Sequence, residues 1–126
     1  MEEFSYQGKV VAFILRTITD GSKPVTSDHE PLQLVTLKHP AGTELKAHMH
    51  SPAERVTAKM QECLFLKKGK LKVDLYATDK TLFHSVEMVP GEALFLINCG
   101  IGIHMLEDSE AIEFKNGPFV EDKVLI

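Results

Sequence analysis

Cysteine, clustered basic residues and long apolar runs are all scarce in this sequence, and each absence excludes a class of protein. The 126 residues include only two cysteines, Cys63 and Cys99, and their spacing resembles neither a redox CxxC pair nor a zinc ribbon. With no export signal we expect two free thiols rather than a disulfide. No apolar run approaches the length that crosses a membrane, so no membrane partner is expected.

The charge distribution excludes a second class, the nucleic-acid-binding proteins. The net charge is −4 with a pI near 5.8, and the lysines and arginines are scattered rather than massed on one segment. No electrostatic footprint for DNA or RNA follows from such a pattern. The opening residues 1–4 are acidic and polar, where a secretory signal would be basic and then apolar. We therefore expect a cytoplasmic protein.

Length and composition predict a single globular domain over residues 1–126. Hydrophobic residues make up 44% and charged residues 25% of the sequence, as in a globular protein. A chain of 126 residues is long enough for one hydrophobic core but too short for two domains. One domain then has to provide both the scaffold and any functional site.

Short apolar or alternating segments separated by turns predict an all-β fold. Leu71, Val73 and Leu75, for example, alternate with polar residues, as the two faces of a strand require. Helical periodicity is nearly absent, which favours a sandwich or closed barrel over an α/β fold. Nine strands are predicted, at Val10–Leu15, Leu32–Leu37, Glu44–Met49, Gln61–Leu66, Leu71–Tyr76, Leu82–Val89, Ala93–Ile97, Ile103–Leu106 and Ala111–Lys115.

Glycine- and proline-rich segments predict the turns between these strands. Asp20–Pro24 is expected to be a turn that stops any helix, and Cys99–Gly102 is expected to be a loop. Lys67–Lys70 has the composition of a hairpin connection, which predicts that the strands on either side of it pair with each other.

The sequence His48-Met49-His50 is the strongest chemical signal in the chain. Histidines at i and i+2 project from the same face of a strand, so two imidazoles can converge on one small volume. With a carboxylate from a neighbouring strand they would form a mixed nitrogen and oxygen set. Such a set suits iron(II), manganese, nickel or zinc better than calcium or magnesium.

The residues around this pair follow a spaced pattern. A glycine precedes the histidines by five residues, a glutamate follows them after eleven, and a second glycine follows the glutamate after six: Gly42, His48-Met49-His50, Glu62 and Gly69. Further along, the turn Pro90-Gly91-Glu92 precedes a strand, a glycine-containing loop and His104. In these two segments the chain resembles the cupin superfamily, over about residues 32–115. It departs from the family in the long gap before Glu62 and in the loop before His104.

The resemblance implies a fold and a site. The fold would be a double-stranded β-helix, the cupin jelly-roll barrel, whose mouth holds one divalent transition metal on His48, His50, Glu62 and His104. Open coordination positions would admit substrate, and Glu62 or His104 would move a proton. Isomerisation, epimerisation and dioxygenation of a small polar metabolite all fit such a site. The segments 105–108 and 115–119 weakly resemble small cupins of polysaccharide or sugar-nucleotide biosynthesis.

Other interpretations stay open from sequence alone. The main alternative is a barrel without metal that binds a sugar or another small ligand and catalyses nothing. The insertion of residues 51–61 is either a single helical turn or an extended excursion, and Arg55 and Lys59 in it are candidates for binding an anionic substrate. The apolar end of the chain and the open edge of a jelly roll predict a homodimer.

Overall fold

The chain forms ten β-strands and no helix in this computed structural model, which describes all of residues 1–126. The all-β fold expected from the sequence is confirmed. No element is long and apolar enough to be a membrane-spanning helix. In chain order the strands are β1 (Glu2–Tyr6), β2 (Lys9–Leu15), β3 (Gly21–Pro24), β4 (Val35–Lys38), β5 (Glu62–Lys68), β6 (Leu71–Tyr76), β7 (Leu82–Met88), β8 (Ala93–Leu96), β9 (Gly100–Met105) and β10 (Glu110–Lys115).

Two antiparallel sheets face each other and enclose the main core. One sheet has five strands in the order β1-β2-β8-β5-β10, and the other has three in the order β7-β6-β9. A separate two-stranded sheet pairs β3 with β4, and the sheets do not close into a barrel. The core between the two larger sheets includes the fully buried side chains of Ile14, Leu66, Leu71, Val73, Leu75, Met88 and Leu94.

The outer face of the five-stranded sheet carries a second, smaller apolar cluster. Phe13 and Phe95 stack there with ring centroids 5.1 Å apart, beside the buried Cys63. Val25 and Leu34, from the segment around β3 and β4, pack over them. The middle of this sheet is therefore covered on both faces, and a site has to lie at an edge of the sandwich or in a loop.

The connection Lys67–Lys70 is not a hairpin, which corrects the prediction. β5 belongs to the five-stranded sheet and β6 to the three-stranded one, so this turn carries the chain from one sheet to the other. Gly69 has a φ of +96°, and a Cβ at this position would collide with Ser109 and lie 2.6 Å from the main-chain oxygen of Asp108. Glycine is needed here because the conformation is left-handed and the neighbouring chain is in contact.

Two segments predicted as a turn or loop belong to strands. Gly21–Pro24 is β3 and pairs with β4. Gly100–Met105 is β9 and pairs with β6, so the strand predicted at Ile103–Leu106 begins three residues earlier, inside the expected loop. Glycine usually weakens a strand because it offers no side chain to pack. In β9 a Cβ at Gly102 would be in ordinary contact with the Tyr76 ring, at 3.4 Å, whereas one at Gly100 would lie only 2.8 Å from the Ile126 Cδ1 atom.

The predicted strand at Glu44–Met49 is absent. No strand lies between the end of β4 at Lys38 and the start of β5 at Glu62, and residues 40–60 are exposed. These residues are mostly polar and no neighbouring strand offers them a ladder, so nothing compensates the entropy of fixing them in a sheet. The insertion 51–61 contains neither a helical turn nor a strand.

Candidate functional site

The candidate site is a cavity of about 640 Å³ between the edge strands β9 and β10. We call this edge of the sandwich the open side. Its walls combine apolar side chains from both sheets with a few polar groups, which is the usual make-up of a small-molecule site. The lining includes Met60, Glu62, Tyr76, Thr78, Leu96, Asn98, Cys99, Ile101, Ile103, Glu113, Lys115 and residues 123–126.

Glu62 faces into the cavity because of its register in the sheet. It stands directly opposite Leu96 on β8, whose side chain is in the core, and opposite Lys115 on β10. Residues directly opposite each other in antiparallel strands project from the same face. Both members of the Glu62 and Lys115 pair therefore point toward the interior.

A charged cluster follows from this register. The Lys115 Nζ atom lies 3.4 Å from a Glu62 carboxylate oxygen and 3.4 Å from a Glu113 carboxylate oxygen. The negative charge of Glu62, followed by that of Glu113, raises the pKa of Lys115 above its ordinary value. Two carboxylates and one ammonium group thus meet at the cavity wall. We call Glu62, Glu113 and Lys115 the cavity charge cluster.

Cys99 lines the same cavity but is a poor nucleophile. Burial, with a smaller contribution from the charge of Glu62, raises the pKa of the Cys99 thiol to about 12. The thiol rather than the thiolate is then the dominant form near neutral pH, and the thiolate is the reactive species. Cys63 lies on the other face of the sheet, where burial raises its pKa to about 11, and the two thiols are free as expected.

His48 and His50 lie together on the exposed loop between β4 and β5. Their rings meet edge to face with centroids 5.3 Å apart. The His48 Nδ1 atom is 3.0 Å from the main-chain oxygen of Lys46. A carbonyl oxygen only accepts hydrogen bonds, so in the neutral imidazole Nδ1 carries the proton and Nε2 can accept a hydrogen bond or bind a metal. The pair is close, as predicted, although it is not on a strand.

His104 lies on the outer face of the three-stranded sheet. It stands opposite Lys72 on β6, which alternates with the buried residues of that strand. His104 Nε2 donates to one carboxylate oxygen of Asp74 at 2.7 Å, and the Ser85 hydroxyl donates to the other at 2.5 Å. These two hydrogen bonds, the one from Ser85 being the larger cause, lower the pKa of Asp74. Asp74 thereby links all three strands of its sheet.

The four predicted metal ligands do not form one cluster in this structure. No three histidine, cysteine, aspartate or glutamate side chains lie close enough together to share an ion. His48 and His50 are brought together, Glu62 is paired with Lys115, and His104 is held by Asp74. Of the two predicted catalytic residues, Glu62 lines the cavity and His104 does not.

The two predicted substrate-binding cations also lie outside the cavity lining. Arg55 is exposed on the loop and donates to the main-chain oxygen of Ala53 at 3.3 Å. The Lys59 ammonium group lies 3.6 Å from a carboxylate oxygen of Glu30. Lys115 and Glu113, by contrast, were not predicted as site residues. Their alternation with Ile112 and Phe114 indicates a strand. In this strand the apolar residues face outward, opposite Phe65 and Cys63, and the charged residues face inward. No local sequence pattern predicts that the charged face is the inner one.

Comparison with known proteins yields no match to this chain. No family model matches it, and neither a curated protein nor a solved structure does. The chemistry of the residues around the cavity is then what indicates a function.

Proposed function

We propose that this chain binds a small, hydroxyl-rich metabolite, such as a sugar, in the cavity on the open side. The observation that carries the proposal is the cavity charge cluster, which faces a space of about 640 Å³ from its inner wall. That volume falls within the range of roughly 300 to 1,000 Å³ that is typical of small-molecule sites.

The chemistry of the lining supports this ligand class. Carboxylates accept hydrogen bonds from hydroxyl groups and an ammonium group donates to their oxygens, so Glu62 and Lys115 together can bind neighbouring hydroxyls. Ile101 and Ile103 on the opposite wall offer an apolar surface to the C–H face of the same molecule. Two carboxylates and one ammonium group leave the cluster with one net negative charge, which favours a neutral ligand over an anionic one.

Catalysis of an isomerase or epimerase kind is the enzymatic form of the same proposal. It would assign proton transfer to Glu62, the predicted catalytic residue that lines the cavity. Such a step needs Glu62 within hydrogen-bond reach of a carbon-bound proton of the ligand. The same ligand screen, followed by turnover with deuterated solvent, distinguishes a binding protein from an enzyme.

The proposal is tested by a ligand screen followed by NMR. Neutral monosaccharides and disaccharides, with their phosphates, are screened by saturation transfer, and each hit is titrated against methyl-labelled protein. A true ligand shifts the Ile101, Ile103 and Leu96 methyl signals, and Glu62→Gln weakens it by about ten-fold, the effect of losing one strong hydrogen bond. Binding that shifts none of these signals, or that survives the substitution unchanged, contradicts the proposal.

Glu87→Gln is the matched control. Glu87 also pairs with a lysine, Lys70, at 3.3 Å, but its carboxylate is exposed on β7 and does not line the cavity. The control should leave the affinity for every hit unchanged. An equal loss in both variants would show that overall charge, rather than the cavity, governs binding.

The histidine pair supports a second candidate, a divalent transition metal bound at His48 and His50. Their rings are adjacent, and the Lys46 carbonyl holds His48 with Nε2 free, as metal-binding histidines are usually held. Glu62 and His104 do not fit this ion where they lie, so no catalytic step is assigned to it. Elemental analysis of protein purified without chelator, beside a His48→Ala and His50→Ala double variant, tests the site. Stoichiometric metal that is lost in the variant supports it.

Membership of the cupin superfamily, including its polysaccharide-linked members, and a homodimer are parts of the same proposal. The spacing from Gly42 to Gly69 and the two facing antiparallel sheets support the family. Ile112 and Phe114 are about half exposed on the edge strand β10, which supports pairing of two copies there. Light scattering after size-exclusion chromatography, with Phe114→Lys beside the unmodified chain, tests the dimer.

A further inference from the structure

Asn116 follows β10 directly and ties it to the residue before β5. The main-chain N–H of Gln61 donates to the Asn116 side-chain oxygen at 2.7 Å. The Asn116 side-chain nitrogen donates in turn to the main-chain oxygen of Lys59 at 3.0 Å, with the Thr57 hydroxyl at 3.4 Å. The one amide side chain of Asn116 thus hydrogen-bonds both a main-chain N–H and a main-chain carbonyl of the segment before β5.

This bridge lies immediately beyond the last pair of a strand ladder. The register of β10 with β5 ends at Lys115 opposite Glu62. Terminal pairs of a ladder open most easily, and Pro118 has no N–H with which to extend the pairing. The side chain of Asn116 therefore continues the bonding between the two strands by one residue, where the main chain does not.

The residue that Asn116 holds is itself fixed. Gln61 is fully buried, and its side-chain nitrogen donates to the Glu30 carboxylate and, at 3.3 Å, to the main-chain oxygen of Ile97. Its side-chain oxygen accepts from the Leu32 N–H at 3.2 Å. Asn116 thus connects β10 to a rigid point, and that point is also bonded to the end of β8, next to the cavity residue Asn98.

We propose that Asn116 is a positioning residue that holds Lys115 against Glu62 and thereby sets the geometry of the cavity charge cluster. Asn116 touches no part of the cavity itself and acts through its neighbour. The expected effect of Asn116 on ligand affinity rests on the proposed function, whereas its expected effect on the ion pair of Lys115 with Glu62 does not.

The test is a pH titration of Lys115 by NMR in lysine-labelled protein. In the unmodified chain the pKa of Lys115 is raised, chiefly by Glu62. In Asn116→Ala the end pair opens, so we expect that pKa to fall toward the ordinary value by the part that Glu62 causes, while the part due to Glu113, on the same strand, remains. Any cavity ligand found in the screen should bind about ten-fold more weakly to this variant. An unchanged Lys115 titration overturns the proposal, whatever happens to stability.

Two control variants separate positioning from general destabilisation. Val86→Ala truncates a buried side chain on β7, the edge strand opposite β9 in its sheet, so it should lower the melting temperature and leave the Lys115 titration unchanged. Thr57→Val removes only the longest contact of the Asn116 amide and should change neither. If Val86→Ala moves the pKa of Lys115 as far as Asn116→Ala does, the positioning role is wrong. If Asn116→Ala does not fold, Asn116→Ser is titrated against the same expectation.

The outcome is independent of the ligand. A chain that binds nothing in the cavity but shows the Lys115 change in Asn116→Ala contradicts the proposed function and supports this inference. If a cavity ligand binds equally well before and after the substitution and the titration is unchanged, the proposed function is supported and this inference is contradicted.

Discussion

The two edges of the sandwich are built from different kinds of side chain. Where β1 meets β7, which we call the closed side, Phe4 packs on His84 with ring centroids 4.6 Å apart, and Tyr6 packs on Phe83 at 5.3 Å. The Tyr6 hydroxyl also donates to Asp79 at 3.1 Å. Across the molecule, the open side between β9 and β10 has ion pairs around a cavity in place of packed pairs of rings.

The difference indicates where stability and ligand binding reside. Aromatic side chains bury large areas and fill the space between two sheet edges, so they contribute strongly to folding. Ion pairs at partly exposed positions contribute little to stability. Glu62 and Lys115 therefore stabilise this edge of the sandwich only weakly, whereas their charged groups are well suited to binding hydroxyl groups. Substitutions on the closed side should lower the free energy of unfolding, and those on the open side should change ligand affinity or local structure.

The largest expected effect is on the closed side. Phe4 is 5% exposed, and Phe4→Ala should lower the free energy of unfolding by about 3–5 kcal/mol. The matched change on the open side, Ile103→Ala, starts from a side chain that is 37% exposed and should cost about 1 kcal/mol. Urea unfolding measures both. Equal losses would show that the two sides do not differ in stability.

The next effect concerns Asp74, which joins β7 on the closed side to β9 on the open side through Ser85 and His104. Its folded-state pKa is lowered, first by Ser85, so its contribution to stability is present above the unfolded value of about 3.9 and is lost as pH falls through the folded pKa. Unmodified protein should therefore lose more stability below about pH 4 than Asp74→Asn does.

Urea midpoints between pH 6 and pH 2 measure this difference. Ser85→Ala removes the largest cause of the lowered pKa and should flatten the pH dependence part of the way. A constant gap between the unmodified protein and Asp74→Asn over the whole range would contradict the prediction.

A smaller effect is expected at Cys99 on the open side. Because its pKa is raised to about 12, alkylation by iodoacetamide at pH 8 should be slow in the folded protein. Burial is the main cause and the charge of Glu62 the lesser one, so Glu62→Gln should raise the alkylation rate by only about two-fold. Glu113→Gln, in the same cavity, is the control and should leave the rate unchanged. Mass spectrometry of the labelled thiol measures both.

The smallest effect is expected at Gly100, where residues 123–126 pass over β9. A Cβ at Gly100 would lie 2.8 Å from the Ile126 Cδ1 atom, which is the flexible end of a side chain. Gly100→Ala should change stability by less than about 1 kcal/mol while shifting the amide signals of Val124–Ile126. A loss above about 2 kcal/mol would show that this segment is a firm part of the open side.

The sequence predicts strands well where alternation is strong. The alternation from Leu71 to Leu75 places β6 with its core face correct, and Pro90-Gly91-Glu92 turns the chain into β8 as expected. It predicts strands poorly where packing overrides composition. β9 contains two glycines, whose composition predicts a loop, and its pairing with β6 nevertheless makes it a strand.

The candidate site could be predicted only in part, because sheet pairing decides it. Glu62 was expected at a site because of the cupin resemblance, in which a glycine follows it after six residues, and it does line the cavity. Its neighbour there is Lys115, brought to it by the register of β5 with β10 rather than by any local motif. The histidines lie elsewhere, because the segment that was expected to carry them into the sheet has no partner strand.

The turn at Gly69 bears on how the protein is synthesised. Because that turn sends β6 to the other sheet, β5 finds its partners only in β8 and β10, both later in the chain. A nascent chain on the ribosome therefore cannot complete the five-stranded sheet until almost the whole sequence has been translated. Such non-local pairing is associated with folding in milliseconds to seconds rather than microseconds. Both edges of β5 stay unpaired until then and are open to pairing with other chains.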